Sequence, residues 1–111
     1  MDRFLIVYRG PPGGTPEASE HQPERWEAWF QSLGNSLADR GSLTHNSVEI
    51  TSRLLGPKLS GSALSGYSII EASDFNHAVK LAEPCPIFDE QGSVEIARLT
   101  GDLTRPAGGS G

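Results

Sequence analysis

The stretch QPERWEAWFQSLGNSLADRG, residues 22–41, decides how the rest of the chain is arranged. Trp26, Trp29, Phe30, Leu33 and Leu37 recur at spacings that put them on one stripe of a helix. Pro23 suits a first helical turn, where a missing N–H costs nothing. Glu24 sits near the positive end of the helix dipole. Arg40 followed by Gly41 reads as a stop, a cation in the last turn and then a residue free to turn left-handed. Gly34 falls inside this span at a cost of about 1 kcal/mol relative to Ala, which close approach of the helix to a strand would offset. The expectation is a single helix over 22–41.

The flanks supply strands. RFLIVY (3–8) is β-branched and aromatic, reads as a buried strand, and runs into the loop RGPPGG. SVEITSRL (47–54) alternates Val48 and Ile50 with Glu49 and Thr51, as a half-buried strand does, and its start near Leu43 is open. GPKLSGSA (56–63) reads as a loop, and LSGYSIIEA (64–72) as the next strand. Ser73 is placed to cap a helix over 74–83, with Asp74 in its first turn and Phe75, Ala78, Val79 and Ala82 as its buried face. Pro84 ends it. SVEIARLT (93–100) alternates again and is the last strand. The order is β-α-β-β-α-β in one α+β domain, residues 1–100, followed by a C-terminal tail, 101–111. Two helices on one face of a four-stranded antiparallel sheet is the ferredoxin-like arrangement. The opposite face then carries uncovered apolar side chains, and a second copy of the chain is the expected cover, making a homodimer.

Length and composition agree with a single domain. The chain has 111 residues, 36% of them hydrophobic and 21% charged, which is a globular composition. Net charge is −5, and the cations are scattered singly without a basic stripe, so no nucleic-acid partner is expected. No run of about 18 apolar residues suggests a membrane span. One cysteine cannot form an internal disulfide, and a reducing, cytoplasmic setting is the simplest expectation.

Three stretches together resemble the YCII-related family, also called the DGPF-domain group: WEAWFQSLGNSLADRGSL (26–43), LSGYSIIEASDFNHAVKLAEPCP (64–86) and GSVEIARL (92–99). The strand GYSIIEA, the helix with HAVKLA, the CP turn and the VEI strand follow in that family's order. The resemblance implies a dimeric α/β barrel of two ferredoxin-like chains, with a small cleft between the sheet and the first helix. The name-giving Asp-Gly-Pro-Phe stretch is replaced here by GPKLSGSALSG, which resembles a short-loop branch. Members argued to be enzymes carry a His in the first helix about two and a half turns before an Asp. Asp39 matches that Asp, but the matching earlier position is Phe30, and His21 lies before Pro23. The acid–base pair implied by the family is incomplete.

The remaining chemistry is sparse. Cys85 lies between Pro84 and Pro86 after a helix, where the dipole end is negative and disfavours a thiolate; it reads as a small apolar plug. His21 and His77 read as solvated, and no pair of histidines has metal-ligand spacing, so neither a metal nor a cofactor is expected. Glu49, Glu71 and Glu95 fall on strands without establishing a carboxylate pair. Apolar pockets with a few polar tips are the usual small-ligand sites, and the candidates to wall one are Tyr8, Trp29, His45 and Tyr67. The candidate catalytic groups are Asp39 and His45, with Tyr8 as a further recruit. The leading reading is a non-catalytic dimeric domain binding a small organic ligand in the cleft. The alternatives are a lyase- or isomerase-type enzyme on a small aromatic or carbonyl compound, and a regulatory or structural interaction module. The missing helix histidine favours the non-catalytic readings.

Overall fold

The structure, a computed structural model, describes residues 1–10, 22–44, 47–59, 64–102 and 105–106. Strand β1 (Asp2–Arg9) alternates strictly: Phe4, Ile6 and Tyr8 are buried on one face, while Leu5 and Val7 are half-buried on the other. Helix α1 (Pro23–Leu33) follows, with Pro23 in its first turn and Trp26, Trp29 and Leu33 buried.

Here the first expectation needs correction. The helix stops at Leu33, not near Arg40, because Gly34 takes a positive φ (+56°), a backbone that glycine adopts at little cost. A single 3-10 turn (Gly34–Ser36) leads into strand β2 (Leu37–Leu43). Asn35 and Ser36 are poor helix formers, so little opposes the break. Leu37 therefore does not extend the helical stripe; it pairs with Ile70 across the sheet.

The second strand of the main sheet is thus residues 37–43, and the stretch expected to fill that place lies elsewhere. Val48–Ile50 forms β3 and, among the described residues, pairs only with β4 (Pro57–Leu59), within the segment read as a loop, in a separate two-stranded sheet. Val48 and Ile50 are about two-thirds exposed, so their alternation does not mark burial.

Strand β5 (Leu64–Ala72) and helix α2 (Phe75–Ala82) follow. The cap of α2 is Asp74 rather than Ser73: its Oδ1 accepts from the His77 backbone N–H at 2.8 Å. His77 returns the bond through Nδ1, which accepts from the Ser73 N–H at 3.0 Å. His77 is accordingly half-buried rather than solvated. Ala78 and Ala82 are buried, whereas Phe75 and Val79 remain nearly half exposed. A 3-10 turn over Pro86–Glu90 leads to β6 (Ser93–Arg98). In the C-terminal segment, β7 (Gly101–Asp102) pairs with β8 (Arg105–Pro106).

The main sheet has the order β2-β5-β1-β6, with every neighbouring pair antiparallel. Its core face meets both helices. Phe4 packs edge-on against Phe75 at 5.0 Å, and Tyr8 edge-on against Trp26 at 4.9 Å. Ile6, Trp29, Leu33, Ile70, Ala72, Ala78, Ala82, Cys85 and Ile87 complete the buried cluster. Such aromatic pairs add about 0.5–1.5 kcal/mol each beyond the area they bury. The other face carries Leu5 opposite Ile69 and Ala97, and Val7 opposite Tyr67 and Glu95. Glu95 therefore lies on the face away from the helices. Among the described residues, no helix is long and apolar enough to cross a membrane.

Candidate functional site

A cavity of about 220 Å³ opens where the C-terminal end of β1 meets α1 and the edge strand β2. Tyr8 comes from β1, Trp26 and Phe30 from α1, Arg40 through Leu43 from β2, and Tyr67 from β5. One helical turn separates Trp26 from Phe30, so both reach the same side, with ring centroids 6.1 Å apart.

The β2 wall exists because that strand is irregular. Its register against β5 slips between Leu37 and Asp39 and again between Asp39 and Ser42. Asp39 Oδ1 accepts from the Gly41 N–H at 2.8 Å, an Asx turn that holds the second irregularity. Gly41 has φ +72°, and a Cβ there would lie 1.8 Å from the Tyr67 carbonyl oxygen. Only glycine lets β2 come this close to β5.

The neutral polar atoms around the cavity are engaged in hydrogen bonds within the chain. Tyr8 donates its phenolic hydrogen to Ser68 Oγ at 2.7 Å, and Ser68 donates to the Arg40 carbonyl at 2.6 Å. This relay ties three strands together. Burial raises the Tyr8 phenol well above its ordinary value, an effect the Ser68 hydrogen bond only partly offsets. Tyr8 stays protonated near neutrality and is not poised as a base. Trp26 Nε1 donates to Glu90 Oε2 at 2.8 Å, and Ser42 Oγ donates to the Leu43 carbonyl at 2.9 Å. What faces the cavity is largely apolar surface.

The charged exception is Arg40. Its guanidinium carbon lies 5.1 Å from the centre of the Phe30 ring. Nη1 stands 2.6 Å from Glu27 Oε2, and Nη2 donates to Glu27 Oε1 at 2.9 Å. The Arg40 hydrogen bond holds the Glu27 carboxyl below its ordinary range, and the same bond raises the guanidinium.

The candidates from sequence separate here. Tyr8 and Tyr67 line the cavity. Trp29 does not: its Nε1 donates to the Leu81 carbonyl at 3.1 Å, and its ring borders a more open groove with Arg25, Ala28, Ser32, Pro84 and Pro86. Asp39, expected at the end of a helix, is exposed on β2 and holds the Asx turn. His45 and His21 lie outside the described residues. Cys85 is 1% exposed, and burial, reinforced by the charges of Glu90 and Asp89, pushes its thiol up to about 12. That is an inert plug rather than a nucleophile. Among the described residues, no group of three or more His, Cys, Asp or Glu is placed to hold a metal ion.

Sequence reasoning missed Trp26, Phe30, Arg40 and Gly41 as cavity residues. The one-turn spacing of Trp26 and Phe30 was a usable signal, as was Asp-x-Gly at 39–41, the spacing of an Asx turn. The second was hidden by reading residues 34–41 as helix, which made Arg40 a capping residue.

No protein-family model, curated protein or solved structure matches this chain.

Proposed function

We propose that this chain is a non-catalytic binding domain that takes a small planar organic molecule between α1 and the sheet. The observation that carries this reading is the cavity walled by the rings of Tyr8, Trp26 and Phe30. An apolar cavity of about 150 Å³ is enough to hold benzene, so about 220 Å³ suits a single substituted ring. The polar atoms of Tyr8, Trp26 and Ser42 are engaged in internal hydrogen bonds, which favours binding over acid–base chemistry.

The strand order β2-β5-β1-β6, with a helix between β1 and β2 and another between β5 and β6, supports a ferredoxin-like reading and, with it, the YCII-related resemblance. The outer sheet face is suited to a second copy. Its apolar strip of Leu5, Val7, Tyr67 and Ile69 is flanked by the ion pairs Arg3–Glu71 and Arg9–Glu95. An apolar centre inside a polar rim is the anatomy of a protein interface.

The binding reading is tested by thermal shift against a panel of single-ring compounds. A ligand at a hundred times its Kd stabilises by about 2.7 kcal/mol, several degrees for a domain of this size. Phe30→Trp, which fills the cavity, should abolish the shift and leave the circular dichroism unchanged. No shift from any ring compound at millimolar concentration would end the reading. For the dimer, sedimentation should give twice the chain mass, and Val7→Lys should give monomers; a monomeric wild type would exclude it.

A further inference from the structure

Arg40 and Glu27 bear on the chemistry of the ligand. Arg40 is the one charged side chain among the described residues that line the cavity. Its guanidinium lies over Phe30, a wall ring, and grips both oxygens of a carboxylate, at 2.6 and 2.9 Å. This two-pronged geometry is the way arginine recognises planar carboxylates. The carboxylate it holds is internal, from Glu27 on α1. Both side chains are about half exposed, so the pair is of the surface kind whose opening costs little. The neutral polar groups of Tyr8, Trp26 and Ser42 already hydrogen-bond within the chain and leave little to orient a ligand.

Resting on the cavity reading above, we propose that the ligand is an aromatic carboxylate, and that its carboxylate replaces that of Glu27 on Arg40 while its ring enters among Phe30, Trp26 and Tyr8. Glu27 then acts as an internal competitor. A neutral ring compound leaves the pair closed and gains only ring burial. An acid opens the pair, takes over both hydrogen bonds and buries the same ring. The chain carries a net charge of −5, so long-range attraction does not recruit the anion; selectivity comes from the one local cation.

The test compares benzoate with benzamide, which share a shape and differ in charge, by isothermal titration calorimetry on the wild type, Arg40→Gln and Glu27→Gln. Wild type should bind benzoate about tenfold or more tightly than benzamide, as expected for a hydrogen-bonded charge pair. Arg40→Gln should bring benzoate down to the benzamide level. Glu27→Gln, which removes the competitor, should tighten benzoate several-fold and leave benzamide unchanged. Circular dichroism checks that each variant is folded, and Glu27→Gln keeps the test decisive if Arg40→Gln does not fold. Equal binding of benzoate and benzamide by wild type would overturn the carboxylate inference and leave the cavity reading standing. Binding of neither would overturn both.

Discussion

Replacing Tyr8 by Phe and Ser68 by Ala, singly and together, measures the relay that joins β1, β5 and β2. In Tyr8→Phe the ring stays in its edge-on packing, and Ser68 keeps its bond to the Arg40 carbonyl. One hydrogen bond is lost without leaving a buried donor unpaired, at a cost of about 0.5–1.5 kcal/mol. In Ser68→Ala the phenol loses its acceptor within a site where Tyr8 is 1% exposed. A stranded buried group costs about 1–3 kcal/mol, so this variant should be the weaker of the two. In the double variant no phenol remains to be stranded. Its loss should therefore fall short of the sum of the singles by about 1 kcal/mol, the coupling expected of directly bonded partners. Urea unfolding followed by tryptophan fluorescence is a suitable assay, because Trp26 and Trp29 both pack edge-on to Tyr8, at 4.9 and 6.2 Å. The comparison is valid if the dependence of stability on urea is the same in all four proteins. A Ser68→Ala cost no larger than that of Tyr8→Phe, together with strict additivity, would refute the relay.

Other consequences follow from the same geometry. Cys85 keeps its proton in the native state up to about pH 12, whereas the unfolded thiol loses it near its ordinary value of 9. Stability from this group is whole below pH 9 and falls as pH rises from 9 to 12, by at most about 1.4 kcal/mol per pH unit; urea midpoints at pH 8, 9 and 10 should fall less steeply in Cys85→Ala. The native thiol should resist a disulfide reagent at neutral pH and react promptly in urea; fast native reaction would contradict its burial. Gly34 and Gly41 both have positive φ, but a Cβ meets nothing within 4 Å at Gly34 and lies 1.8 Å from the Tyr67 oxygen at Gly41. Gly34→Ala should cost about 1–2 kcal/mol and Gly41→Ala about 2–5, because the second adds forced repacking to the backbone penalty; equal melting temperatures for the two would count against the close β2–β5 approach.

Local periodicity determined much of this protein from the sequence alone. Residues 3–8 read as a buried strand; Trp26, Trp29 and Leu33 fall on one stripe of a helix; and residues 64–72 and 93–100 read as strands. β1, α1 and β5 bury the face that meets the core, and β6 half-buries Val94 and Ile96 on it. The burial of Cys85 was legible too, because a thiol between two prolines after a helix has no chemistry to support it. The identity of residues 37–43 was not legible. Leu37 falls at a helical spacing from Leu33, and LADRGSL has no strand alternation, because β2 is a polar, irregular edge strand. What makes it a strand is β5, far away in sequence, which supplies the backbone partners. Once β2 is seated there, the left-handed turn at Gly41 draws it against Tyr67, and Arg40 comes to lie over Phe30. The cavity belongs to that long-range pairing. Side-chain period is a property of one segment, whereas a pocket between segments depends on which backbones meet, and only the tertiary structure decides that.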